Sequence, residues 1–122
     1  MMVGRLTDEN EFLFPLVLRN EDGEELEVQA VLDTGFSGSL VPPGEVVRRL
    51  ALRQDDVERV LLADGSMTRF SAHEVTVVWD DEDRTVTALG SGGDVLIGVQ
   101  LLRGSVTLLE AIEGGDITIE AP

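Results

Sequence analysis

The 122-residue sequence contains no cysteine and no lysine, and it has one histidine and one tryptophan. Without cysteine, disulfide bonds and thiolate chemistry are excluded. The histidine, His73, stands among polar neighbours, so we predict that it lies at the surface. A metal site would need further ligands at suitable spacing. We therefore expect neither a metal nor a cofactor.

Positive charge is also scarce, because 24 Asp and Glu residues face only 9 arginines, giving a formal net charge of -15. Phosphate backbones and anionic membrane surfaces repel such a chain, so we expect no nucleic-acid or membrane partner. No run approaches the roughly 20 apolar residues of a membrane span, and no secretory segment is visible near the N-terminus. We therefore expect a soluble, cytoplasmic protein.

The apolar fraction of 43% argues against disorder. The length suits one domain, which we place at residues 1–122. Short β-compatible segments alternate with turn signals such as Asp22-Gly23 and Asp64-Gly65. The predicted strands lie at residues 12–18, 26–32, 74–79, 84–89, 105–109 and 116–120, with a hairpin over 57–70. This pattern predicts an all-β, closed barrel.

Two short helices are expected in addition to the strands. Pro42 and Pro43 stop a strand, and Val46, Val47 and Leu50 follow at helical spacing. Residues 99–104 fit one or two helical turns that end at a glycine. Helix content is therefore low.

The most informative stretch is residues 31–41, where an apolar run ends in Asp33 and a tight turn follows at Thr34-Gly35. A carboxylate at the end of a buried strand is poorly solvated, so its pKa is open to tuning. Because Gly35 has no side chain, the backbone there can come close to a molecule on which the carboxylate acts. Taken alone, the tripeptide is also consistent with an ordinary turn after a buried strand.

The order of segments adds to this reading. Asp33-Thr34-Gly35 is followed by the Asp64-Gly65 hairpin, then Leu96-Ile97-Gly98, then a short helix at 99–103. In this order the sequence resembles the retropepsin-like aspartic proteases, particularly the small single-lobe cellular and prokaryotic members of their clan. The resemblance implies a retropepsin-like closed β-barrel, with one short α-helix after the catalytic loop and a second helix after the Leu-Ile-Gly triplet.

The resemblance also implies an aspartic endopeptidase acting on polypeptides as a homodimer, because the chain carries one such aspartate and is half the length of two-lobed enzymes. Asp33 would be catalytic, and the implied loop supports are Thr34, Gly35 and Ser37. A flap over the substrate would comprise Ala63, Asp64, Gly65, Ser66 and Met67. Leu96, Ile97 and Gly98 would form an apolar backing behind the loop.

Phe36 stands where the two-lobed enzymes often carry a small hydroxyl residue, so the outer carboxylate oxygen lacks that partner unless Ser37 supplies one. An alternative is therefore a catalytically silent dimer of the same fold that binds peptides or supports assembly. The Asp64-Gly65 turn is equally consistent with an ordinary hairpin. We expect Trp79 and Phe70 to serve core or dimer packing, residues 80–83 to form a solvated turn, and 90–93 a plain loop. Residues 117–119 are candidates for pairing across the dimer.

Overall fold

The computed structural model describes residues 1–90 and 93–122. Within them the chain forms ten strands and two short helices. In chain order these are β1 (Met2–Leu6), β2 (Phe12–Arg19), β3 (Glu25–Leu32), β4 (Leu40–Val41), α1 (Gly44–Arg49), β5 (Gln54–Leu61), β6 (Met67–Trp79), β7 (Glu82–Gly90), β8 (Val95–Ile97), α2 (Val99–Leu102), β9 (Val106–Leu109) and β10 (Asp116–Glu120). Neither helix is long enough to cross a membrane.

Six strands close into a barrel in the order β6, β7, β4, β8, β3 and β2, and pairing of β2 with β6 completes the ring. The sheet continues beyond the barrel on two sides. From β2 it extends through β1 and β10 to β9, and from β6 it extends to β5. The expected all-β barrel with two short helices is therefore confirmed.

The core lies inside the barrel, where alternating residues of β2 and β6 point inward. Val75, Val77 and Trp79 are all buried, as their period-two spacing predicts. Phe14 meets Trp79 edge to face, with ring centroids 6.1 Å apart and planes at 80°. Full burial of such large side chains contributes about 1.5–3 kcal/mol each, which makes this interior the main source of stability.

Pro15 occupies a position in β2 that needs no N–H donor. Strand β1 pairs with the start of β2, at Phe12 and Leu13, and β6 pairs with its end, beginning at Val17. Pro15 falls between these two ladders and is exposed. The missing N–H therefore costs no ladder bond on that side.

Several boundaries differ from the sequence-based expectation. The predicted arm at 67–70 and strand at 74–79 are one strand, β6, and β1 was not predicted. The turn expected at residues 80–83 is confined to Asp80 and Asp81, whose φ angles of 49° and 67° suit a two-residue hairpin turn. Gly90 ends β7 instead of opening a loop. Ser91 and Gly92, in the same expected loop, lie outside the described residues.

Candidate functional site

Asp33 lies immediately after β3, where the chain turns away from the barrel. Its backbone N–H donates to the Ile97 carbonyl at 2.9 Å, which continues the parallel pairing of β3 with β8 by one residue. Its side-chain Oδ1 accepts the Gly35 N–H at 3.0 Å. Asp33 is half-buried as a residue, whereas Thr34 and Gly35 are exposed. The loop is therefore hydrogen-bonded to β8 on one side, and its Thr34-Gly35 segment is exposed to solvent on the other.

The next residues fold back on the start of α2. The Phe36 carbonyl accepts the Val99 N–H at 2.9 Å, and the Gly38 carbonyl accepts the Gln100 N–H at 3.1 Å. A Cβ at Gly98 would overlap the Gly38 carbonyl oxygen and lie 2.6 Å from the Phe36 ring. Glycine is required at position 98 because two backbone segments touch there.

The expected backing residues are thus placed behind the loop, with one change. Ile97 is fully buried, and Gly98 packs against the loop itself. Leu96, however, is half-buried and lines a cavity beside Asp33. The reason is the alternation of β8, which turns Ile97 inward and Leu96 outward.

That cavity has a volume of about 200 Å³ and a predominantly apolar wall. Asp33 is the one charged residue among the described residues that line it. The remaining lining residues are Phe36, Val41, Val60, Leu62, Phe70, Leu89 and Leu96. Such a lining suits an extended apolar side chain next to the carboxylate.

The wall includes both arms of the β5–β6 hairpin. Val60 and Leu62 come from the first arm and Phe70 from the second. Phe70, expected to serve core or dimer packing, instead faces the same space as Asp33. The sequence did not reveal this position of Phe70. The alternation of apolar and polar residues along the hairpin does not specify which other strands or loops the hairpin packs beside.

The predicted flap tip is a hydrogen-bonded turn that protrudes into solvent. Leu62 N–H donates to the Ser66 carbonyl at 2.8 Å, and Gly65 has φ of +87°, which favours glycine. Asp64 Oδ1 accepts the Ser66 hydroxyl at 2.6 Å and the Ser66 N–H at 2.9 Å. The Ser66 hydroxyl, followed by its N–H, lowers the pKa of Asp64 below its ordinary value. Met67 at the base of the tip is exposed.

His73 is buried, with 6% of its surface exposed, so the prediction of a surface histidine is wrong. Its Nδ1 lies 3.2 Å from the Leu52 carbonyl, and its Nε2 lies 2.9 Å from the Ser71 hydroxyl. The signal was present in the sequence, since His73 shares parity with inward-facing Val75 and Val77. Among the residues that the structure describes, no group of three His, Asp or Glu side chains is placed to hold a metal.

Comparison with solved structures identifies the fold. A retropepsin-like aspartic protease from Rickettsia conorii aligns over 98% of this chain and 90% of its own, with a TM-score of 0.63 and 14% identity. The protease of Simian Foamy Virus (mac) aligns over 72% of this chain and 90% of its own, with a TM-score of 0.50 and 16% identity. No protein-family model matches the sequence, and no curated protein matches it.

The chain therefore has the retropepsin-like fold. Of these two structural neighbours, the first is described as a retropepsin-like aspartic protease and the second as a protease. At 14–16% identity the likeness is one of fold.

Proposed function

We propose that the protein is an aspartic endopeptidase that works as a homodimer, with Asp33 of each copy contributing one carboxylate. The observation that carries the proposal is the position of Asp33. Asp33 is half-buried, its carboxylate accepts the Gly35 N–H, and the residue lies on the wall of an otherwise apolar cavity. A carboxylate fixed beside an apolar cleft can act on a bound peptide without a metal or a covalent intermediate.

Two Asp33 carboxylates about 3 Å apart share one proton, because both cannot ionise at that distance, as in aspartic proteases generally. The ionised carboxylate takes a proton from water as the water attacks the peptide carbonyl carbon. The protonated carboxyl gives its proton to the carbonyl oxygen, forming a tetrahedral diol. The carboxyl that took the proton from water then gives it to the amide nitrogen, the other carboxylate takes a proton from a diol hydroxyl, and the C–N bond breaks to leave a carboxylic acid and an amine.

The supporting loop residues have separate proposed roles. Thr34 is exposed next to Asp33 and so is free to bond with the partner copy. Gly35 holds one carboxylate oxygen through its N–H. Ser37, which is also exposed, is the proposed hydroxyl near the outer oxygen. These roles remain predictions.

The β5–β6 hairpin is the proposed flap. Val60, Leu62 and Phe70 already line the cavity, so the tip at residues 63–67 lies beyond its wall. A peptide held between the hairpin and Asp33 would be shielded from bulk water during the reaction. A polypeptide substrate in the cytoplasm remains part of this proposal.

The decisive experiment replaces Asp33 with Asn, a nearly isosteric residue that cannot exchange the proton. Cleavage of a mixed library of unstructured peptides, followed by mass spectrometry, should be abolished in Asp33→Asn, while pepstatin should inhibit the wild-type protein. Circular dichroism and sedimentation velocity should be unchanged. Cleavage by Asp33→Asn at the wild-type rate would exclude the enzymatic role of this carboxylate.

A catalytically silent, peptide-binding dimer is the second candidate, and Phe36 favours it. Phe36 places an aromatic ring against Gly38 and Gly98, at the sequence position where two-lobed aspartic proteases often carry a small hydroxyl residue. The comparison of the wild-type protein with the Asp33→Asn variant distinguishes the two candidates. A silent module predicts no cleavage by either protein, with peptide binding retained in both.

A further inference from the structure

Strand β6 carries a serine and a histidine whose side chains are in contact. His73 Nε2 lies 2.9 Å from Ser71 Oγ, and Nδ1 of the same ring lies 3.2 Å from the Leu52 carbonyl oxygen. His73 is 6% exposed, whereas Ser71 is half-buried. The chemistry proposed for Asp33 uses neither residue, so their contact needs a separate account.

The Leu52 carbonyl determines which nitrogen of His73 acts on the serine. Because this oxygen can only accept, Nδ1 carries a proton, and in the neutral ring Nε2 presents its lone pair to the Ser71 hydroxyl. A serine within hydrogen-bond reach of a base, with the base oriented by a third group, is the arrangement that activates a hydroxyl for covalent catalysis. Ser71, His73 and the Leu52 carbonyl form such an arrangement.

Gly90 keeps space open beside the serine. Ser71 and Gly90 are opposite each other in the ladder of β6 and β7. A Cβ on Gly90 would lie 2.7 Å from Ser71 Oγ and 3.3 Å from His73 Nε2. Because glycine has no Cβ, a reacting carbonyl carbon can approach Oγ from this side.

An open cavity of about 580 Å³ adjoins the pair. Helix α1 provides the wall opposite the sheet, with an aliphatic side chain at Val47 and a guanidinium group at Arg48. Arg48 makes no ion pair with a described carboxylate, so its N–H groups are available to oxygen atoms of a substrate. The lining residues are Gly44, Glu45, Val47, Arg48, Ser71, His73 and Gly90.

This cavity is separate from the cavity beside Asp33. Among the described residues the two have no lining residue in common. Phe70 and Ser71 are consecutive in β6, and Leu89 and Gly90 are consecutive in β7, so the two cavities lie against opposite faces of these strands. A reaction at Ser71 therefore needs neither Asp33 nor a second copy of the chain.

We propose that Ser71, activated by His73, is a second nucleophile that hydrolyses small carboxylic esters through an acyl-serine. Esters suit the pair because an alkoxide leaves after taking one proton, which a single imidazole can deliver. Val47 offers apolar surface to the acyl chain, and Arg48 offers N–H donors to the ester oxygens. The Leu52 carbonyl has no net charge and stabilises the imidazolium less than a carboxylate would, so turnover is slow.

The reaction has two balanced stages. Ser71 Oγ attacks the ester carbonyl carbon while its proton passes to His73 Nε2, and the C–O bond to the alcohol then breaks as Nε2 returns the proton to the departing oxygen. In the second stage water gives a proton to Nε2 and attacks the acyl carbon. The bond to Oγ breaks, Oγ takes the proton back, and a carboxylic acid leaves.

A fluorophosphonate probe tests the nucleophile in the intact chain. Ser71 Oγ would attack phosphorus, the P–F bond would break with loss of fluoride, and His73 would take the hydroxyl proton. Peptide mass spectrometry should place the phosphonyl group on Ser71, and Ser71→Ala should abolish it. Ser105→Ala is the matched control, because Ser105 is also half-buried but its hydroxyl lies 3.1 Å from Trp79 Nε1. An adduct only on other residues, or no adduct, overturns the proposal.

Two further variants distinguish an activated serine from a purely structural hydrogen bond. His73→Gln retains an N–H donor but has no basic nitrogen, so the labelling rate should fall at least about 100-fold. Gly90→Ala should lower it at least about tenfold, since the new Cβ displaces Ser71 Oγ. Circular dichroism of both variants should match that of the wild type. Labelling at the wild-type rate in folded His73→Gln, or in folded Gly90→Ala, would contradict the proposed site.

Hydrolysis of p-nitrophenyl butyrate tests the substrate class. The wild-type chain should release p-nitrophenol in a burst followed by slow turnover, which is the kinetic sign of an acyl-enzyme, and Ser71→Ala should lose both phases. Ester hydrolysis that persists in Ser71→Ala overturns the proposal. Pepstatin should leave the ester reaction unchanged while it inhibits peptide cleavage, so failure of one proposed site is measured independently of the other.

Discussion

The backbone N–H of Asp33 donates to the Ile97 carbonyl oxygen at 2.9 Å. This bond joins the two segments that carry the apolar-Asp-Thr-Gly and the Leu-Ile-Gly sequences. It lies one residue beyond the paired residues of β3 and β8. The bond therefore fixes the backbone position of Asp33 relative to the sheet. Whatever displaces residues 97–98 therefore displaces the candidate catalytic group.

The close contact at Gly98 leads to a stability prediction. Gly98→Ala should lower the free energy of unfolding by about 1–3 kcal/mol, since its Cβ would overlap the Gly38 carbonyl oxygen and backbone must move. Urea denaturation measures the change. Gly44→Ala is the control, because its Cβ would meet only the flexible Arg48 Nη1, at 3.2 Å, and stability should change by less than about 1 kcal/mol. Equal losses in the two variants would contradict the prediction.

The cavity wall predicts a specificity effect under the proposed function. Leu62→Ala removes an apolar side chain that faces the cavity beside Asp33. For peptides with a large apolar residue at the cut bond, kcat/KM should fall about tenfold. The neighbouring Leu61 is 67% exposed and is not part of the wall, so Leu61→Ala should retain wild-type kinetics. A larger loss in Leu61→Ala would place the substrate elsewhere.

The turn at the hairpin tip predicts a pKa change. Ser66→Ala removes the hydroxyl that most strongly lowers the pKa of Asp64, so this pKa should rise toward its ordinary value of 3.8. Because the folded-state pKa is depressed, the turn's stabilisation is present above the ordinary value and is lost as pH falls through the folded-state pKa. Carboxyl-detected NMR titration measures the shift. Ser66→Thr keeps a hydroxyl and should behave like wild type.

The buried histidine predicts a tautomer. A carbonyl oxygen only accepts, so the contact with Leu52 requires a proton on Nδ1 of His73, and in the Nδ1–H tautomer Nε2 accepts from the Ser71 hydroxyl. Nitrogen-15 correlation spectra should show this form. His73→Ala should cost about 2–4 kcal/mol through a cavity and lost hydrogen bonds, and Ser71→Ala about 1 kcal/mol. The opposite tautomer would refute the assigned network.

Much of the strand pattern followed from the sequence because local chemistry specifies it. Period-two alternation at Val75, Val77 and Trp79 predicted the inward face of β6. The Asp64-Gly65 dipeptide predicted a tight turn, and Gly65 has the positive φ that such a turn requires. The order of the Asp-Thr-Gly, hairpin and Leu-Ile-Gly segments then predicted the retropepsin-like fold, and comparison with solved structures confirms this prediction.

The misjudged residues depend on neighbours that are distant in the chain. His73 is buried, and its Nδ1 contacts the carbonyl of Leu52, which lies in the segment after α1. Phe70 lines the same cavity as Asp33, because the β5–β6 hairpin supplies part of the cavity wall. Each outcome required knowing which segment lies opposite, and that information is absent from local alternation.

By itself, the sequence determined where strands turn, which faces are apolar and that a lone Asp-Thr-Gly stands at a strand end. These properties depend on residues a few positions apart. The tertiary structure alone decided that β10 is enclosed, that β9 keeps an open edge and that Leu96 faces the cavity. The physical reason is that edge and cavity positions are created by the closure of the barrel, which joins strands far apart in the chain.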